Sequence, residues 1–126
     1  MLTARMHLKL WLEHDDSMLL GQGPVELLHR IDSMGSLKKA AESLNMSDRA
    51  AWGRIKRLEE ALGIALIVTA GSRREGCTLT PEGRLAMVAF RQWENDVRTF
   101  AASHAPVLPF LRVQAGKDTS PKPEKS

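Results

Sequence analysis

The spacing of apolar residues changes several times along this 126-residue chain, and each change marks an element. In "RMHLKLWLE", Met6, Leu8, Leu10 and Leu12 alternate with His7, Lys9, Trp11 and Glu13, the period of two of a half-buried strand. "HDDS" then supplies turn residues, and "MLLG" can pair back as a short second strand. From Pro24 the period lengthens. Val25, Leu28 and Ile31, with Leu27 beside them, predict a helix ending near Met34 and Gly35, where glycine suits a left-handed cap. Ser36 is a good N-cap, and Leu37, Ala40, Ala41 and Leu44 predict a second helix of about two turns. "NMS" breaks it, Ser47 can cap again, and Ala51, Ile55, Leu58 and Leu62 form the seam of a third helix ending before Gly63.

After that seam the pattern becomes extended. "IALIVTA" and "CTLT" flank "GSRREG", which predicts a β-hairpin over about 66–79 with Arg73 and Arg74 at its tip. Thr80 and Pro81 open a fourth helix reaching about His104, with Leu85, Ala89, Trp93, Val97 and Phe100 on one side and Ala86, Phe90 and Ala101 beside them. Beyond Pro109, "LRVQAGKDTSPKPEKS" shows no period and reads as a disordered polar tail. The expected fold is α+β and mostly helical: a winged helix-turn-helix over residues 1–108, with an N-terminal strand or hairpin, a long C-terminal helix and a tail over 109–126.

Composition narrows the function classes. With 43% hydrophobic and 26% charged residues, and no apolar run near the ~20 residues that span a bilayer, the chain has the make-up of a soluble domain. The N-terminus lacks the apolar core of a secretory signal, so a cytoplasmic location is expected. The single cysteine, Cys77, cannot form an internal disulfide, and four His in no ligand-like spacing predict neither a metal site nor a cofactor. "EHDD" gathers a His and three carboxylates, but consecutive residues in a tight turn rarely converge on one ion, so it is assigned to a turn. His7, Ser47 and Asp48 offer no arrangement of nucleophile, base and orienting acid, and no glycine-rich phosphate loop follows a strand, so an enzyme is not expected.

Net charge is +3, and its placement matters more than its size. Residues 1–32 carry three basic and five acidic groups, whereas 36–60 carry six basic and four acidic. On a 100° wheel the third helix turns Ala51, Ile55, Leu58 and Leu62 to one arc and Arg49, Gly53, Lys56 and Glu60 to the opposite one, with Trp52 and Arg57 on the flanks. A basic face held by a preceding helix suits insertion into a DNA major groove. Candidate contacts are Ser47, Arg49, Ala50, Gly53, Arg54, Lys56 and Arg57 on that helix, and Arg73 and Arg74 on the wing. Ser47 and the helix-start amides suit phosphate, and Ala50 and Gly53 permit close approach to bases. Trp52 is expected to pack on the wing or second helix. The wide apolar surface of the fourth helix predicts a homodimer, with Leu85, Ala89, Phe90, Trp93, Val97 and Phe100 as interface residues. Two other uses fit the basic helix: a solvated surface, and a docking face for an acidic protein.

The segment from Gly23 to Met87 resembles the N-terminal DNA-binding domain of ModE-type, molybdate-responsive transcriptional regulators, and more distantly the LysR-type helix-turn-helix, and the likeness extends over about residues 7–104. The residues that carry the likeness are "GSLKKAAESLNMS", the "AAW" that follows in the third helix, and the "LTPEG" leading into the long helix. The resemblance implies a bacterial transcription factor whose last helix joins two copies, so that paired recognition helices meet a palindromic operator. Molybdate-sensing relatives carry oxyanion-binding domains after this one, which are absent here, so molybdate binding is not expected.

Overall fold

Hydroxyl side chains start the helices where the pattern places them. In the computed structural model, which describes residues 1–71 and 76–116, Ser36 Oγ accepts the amide of Lys39 at 3.1 Å, Ser47 Oγ that of Ala50 at 3.0 Å, and Thr80 Oγ1 that of Gly83 at 2.9 Å. Each such cap contributes about 1 kcal/mol. They open α2 (Leu37–Ser43), α3 (Asp48–Leu62) and α4 (Pro81–Ser103). The first helix, α1 (Gln22–Met34), begins at Gly21 without a side-chain cap. Gly35 and Gly63 close α1 and α3 with φ of 68° and 74°, the left-handed region where a Cβ is costly.

Three two-stranded sheets accompany the helices among the described residues. Strand β1 (Leu2–Met6) runs parallel to β6 (Leu111–Ala115), β2 (Leu12–His14) pairs antiparallel with β3 (Ser17–Leu20), and β4 (Ile67–Thr69) with β5 (Cys77–Leu79). The "HDDS" turn is confirmed: Asp15 and Asp16 take φ of 51° and 62°, the two positive values of a tight type I′ hairpin. His14 Nε2 lies 3.5 Å from Asp15 Oδ2 there.

Two expectations need correction. A strand through residues 6–12 does not form as one ladder, because β1 pairs with β6 and β2 with β3 while residues 7–11 pair with neither. The alternation itself persists, with Leu8 and Leu10 half-buried and Lys9 and Trp11 exposed. Periodicity reports which face is buried, not which backbone is hydrogen-bonded. Likewise, residues 109–126 are not wholly a disordered tail: Leu111 to Ala115 form β6 in register with Leu2 to Met6. The strand follows because Leu111 and Val113 face inward and the chain returns along α4. Residues 117–126 lie outside the described part.

One core unites the helices and β4–β5. Leu27, Leu28 and Ile31 of α1, Leu37 of α2, Ile55 of α3 and Leu66 before β4 are all fully buried, each contributing about 1.5–3 kcal/mol over an exposed side chain. Met87 and Phe90 of α4 and Cys77 of β5 complete it. Burial is the main influence pushing the Cys77 thiol above its ordinary pKa, with Glu59 nearby adding to the rise, so it is a small packing group rather than a nucleophile. No described helix is long and apolar enough to cross a membrane.

Candidate nucleic-acid interface

Alanines set how closely α3 can seat on α2. Ala40 and Ala41 of α2 and Ala51 of α3 are fully buried, so no side chain longer than a methyl separates the backbones there. The turn between them is equally fixed. Asn45 takes φ of 56°, and the amide of Met46 donates to the carbonyl of Ala41 at 2.9 Å. With Ile55 and Leu58 also buried, α3 presents its opposite side outward.

That outward side carries the expected residues. Ser47, Arg49, Ala50, Arg54, Lys56 and Arg57 are exposed, and Gly53 is half-buried. A Cβ at Gly53 would lie 3.3 Å from Arg57 Nη1, so the guanidinium of Arg57 folds back over a position with no side chain. Arg49, Arg54 and Arg57 make no hydrogen bond or ion pair among the described residues, which leaves their charges available. Lys56 differs. Its Nζ is 2.9 Å from Glu59 Oε1 and 4.5 Å above the Trp52 ring, so it is already engaged within the chain. Trp52 is half-buried and packs against the core. Arg73 and Arg74 lie outside the described residues.

Glu59, which the sequence reading passed over, joins α3 to the wing. Its Oε2 accepts the amides of Leu66 at 2.7 Å and Ile67 at 3.2 Å, the first residues of the β4 arm. Burial works against its ionisation, but these amides and Lys56 outweigh it and hold the carboxyl below its ordinary pKa. The far arm is fixed from α4: the amide of Thr80 donates to Leu66 O at 2.9 Å, and Thr80 Oγ1 donates to Ala65 O at 2.8 Å. A Cβ at Gly83 would collide with the Leu66 carbonyl, so "LTPEG" encodes a cap, a helix-starting proline and a close backbone approach in succession. The signal for Glu59 was a carboxylate on the flank of α3 just before an extended segment.

On α4 the structure divides the expected interface residues. Leu85 is 68% exposed, Phe100 64%, and Ala89 and Trp93 are exposed too, while Val97 is half-buried. Phe90 departs from expectation. It is 3% exposed and packs edge-on to Trp93, ring centroids 5.9 Å apart, so it serves this chain's own core. Val88, exposed beside Leu85, takes its place in the apolar stripe. Phe100 stacks on His104 at 4.0 Å.

This arrangement of three helices and a hairpin has counterparts among known proteins. Residues 24–84 match bacterial regulatory helix-turn-helix proteins of the lysR family. Those residues are thus similar to a LysR-type helix-turn-helix. It is also 31% identical over 101 residues to the molybdenum transport protein ModE of Azotobacter vinelandii, an alignment covering 79% of this chain and 37% of that protein. The chain thus spans little more than a third of that relative's length. LysR-type domains are similar in structure as well. The DNA-binding domain of BenM, solved with catB site 1 DNA, is 26% identical with a TM-score of 0.52, covering 67% of this chain and 88% of that one. DarR of Vibrio fischeri, solved with DNA, is 25% identical with a TM-score of 0.52, covering 67% of this chain and 28% of that one. The CbnR DNA-binding domain in a DNA complex, at 24% identity, a TM-score of 0.53, 67% of this chain and 94% of that one, shares the fold.

Proposed function

We propose that this protein is a bacterial transcriptional regulator that binds a palindromic operator as a homodimer, reading it with α3 and straddling it with the hairpin that follows. The observation that carries the reading is the outward side of α3, where Arg49, Arg54 and Arg57 stand exposed and unpaired on a helix fixed by buried alanines. A rigid helix with uncommitted guanidinia suits a groove walled by phosphates. BenM and DarR, to which this chain is similar in structure, were each solved with DNA.

The roles divide by position. Ser47 and the first amides of α3 suit a phosphate, Arg49, Ala50 and Gly53 face base edges, and Arg54 and Arg57 suit the backbone on one flank. The exposed stripe of Leu85, Val88, Ala89, Trp93 and Phe100 supports pairing of two α4 helices, which would set the spacing of the two recognition helices. Selection of bound sequences from a random duplex pool, followed by gel shifts across a salt series, tests the whole reading. The expected result is an inverted repeat bound far more tightly than random duplex, with log affinity falling steeply against log salt. Binding that never exceeds random duplex would favour the docking of an acidic protein on the same helix.

A further inference from the structure

A groove of about 930 Å³ runs between the β2–β3 hairpin and the edge of α3, at the start of α1. One wall is apolar, made by Trp11, Met18 and Leu19. The other, from α3, carries Arg54 and Arg57, and Lys9 of the extended segment also lines the groove. None of these three cations has an ion pair or hydrogen bond among the described residues. Two carboxylates also line the groove, Asp15 and Glu60, and Asp15 already faces His14.

Two glycines fix how near the walls are. A Cβ on Gly21 would lie 3.1 Å from both Trp11 Cβ and Met18 Sδ, so the thioether reaches that residue and the Trp11 side chain starts beside it. A Cβ on Gly23 would lie 3.1 Å from Arg54 Nη1, so the guanidinium rests on the next turn. Two residues of chain span at most about 7 Å, which puts the Met18 thioether and the Arg54 guanidinium one small molecule apart. The Trp11 indole is steadied by its Nε1 donating to Glu13 Oε2 at 3.1 Å. A flat ring against indole and thioether, with an anionic group at guanidinium, satisfies both walls at once.

We propose that this groove is a ligand site for a small arylcarboxylate, and that its occupancy draws Arg54 and Arg57 away from DNA. The second clause rests on the DNA-binding reading above; the first does not. A DNA strand is a poorer occupant, because the hairpin presents Asp15 and Asp16 at its tip and would repel phosphates. Since binding free energies are reciprocal, a ligand that competes for these guanidinia weakens operator binding, and operator weakens ligand binding.

Calorimetric titration of the full chain with 2-naphthoate, in the absence of DNA, tests the site, with the neutral 2-naphthamide as the matched ring. Saturable binding of one naphthoate per chain is expected, with the amide at least about tenfold weaker. Arg54→Gln, a change at an exposed side chain, should remove the preference for the acid over the amide. Trp11→Ala should weaken naphthoate by about tenfold while leaving operator affinity without ligand unchanged. In the parent, naphthoate should lower operator affinity severalfold, and Trp11→Ala should abolish that response. Equal binding of acid and amide, or unaltered binding in Arg54→Gln, overturns the site. Naphthoate binding with no change in operator affinity overturns the coupling. Failure to find any preferred operator strikes the DNA-binding reading alone, because the calorimetric results stand without DNA.

Discussion

The two edges of α3 carry cations of the same kind and use them differently. On the wing edge, Lys56 is held by Glu59 and the Trp52 ring, and Glu59 in turn holds the start of β4. On the hairpin edge, Arg54 and Arg57 have no ionic partner among the described residues and face a groove. One edge is a joint and the other an open surface. Formal charge along a helix therefore says little about which charges remain available to a partner; what decides is whether a carboxylate comes within ion-pair distance, as Glu59 does for Lys56 and Glu60 does not for the arginines.

The joint is where the largest effect is expected. Gly83→Ala places a methyl group against the Leu66 carbonyl, and backbone on both sides leaves little room to relax. Displacing Leu66 disturbs both the Glu59 contacts and the fully buried Leu66 side chain. A loss of about 2–4 kcal/mol is expected, read as a lower midpoint in urea unfolding. If Gly83→Ala unfolds at the parental midpoint, the wing edge is not the rigid joint described.

At the open surface the expected loss is in recognition rather than stability. Arg49→Ala should reduce the preference for operator over random duplex by about 1–3 kcal/mol with little change in the unfolding midpoint. Lys56→Ala, on the joint side, should cost binding less, because its charge is already shared with Glu59. Equal losses in the two variants, measured by gel shift at one salt concentration, would erase the distinction between the edges.

How much of this was legible in sequence depends on the range of the interaction. Helix starts and stops were legible because their causes are local: Ser36, Ser47 and Thr80 cap amides three residues ahead, and Gly35 and Gly63 close turns just behind. The outward side of α3 was legible because one helical period fixes it. The pairing of β1 with β6 was not, since partners more than a hundred residues apart leave only a weak alternation at Leu111 and Val113. The burial of Phe90 was not legible for a related reason: a wide apolar surface on α4 does not say which part its own core takes up. The division of labour between Lys56 and the arginines needed the fold, because Leu66 and Ile67 reach Glu59 only once β4 is in place.

A smaller effect probes the joint through protons. Glu59 is ionised against burial because two backbone amides and the Lys56 ammonium favour the charged form. Its folded pKa lies below the ordinary 4.5, so its ionisation contributes stability fully above that value and loses it as the pH falls through the lowered folded value. Glu59→Gln keeps a carbonyl oxygen that can still accept from Leu66 and Ile67, and loses only the charge assistance. The expected cost near pH 7 is therefore modest, about 1 kcal/mol, and smaller than that of Arg49→Ala on operator preference. Urea unfolding of parent and variant between pH 7 and pH 3 should show a gap that is constant at the upper end and closes towards the lower. A gap that persists undiminished at pH 3 would mean that Glu59 holds the wing by shape, with its charge contributing nothing.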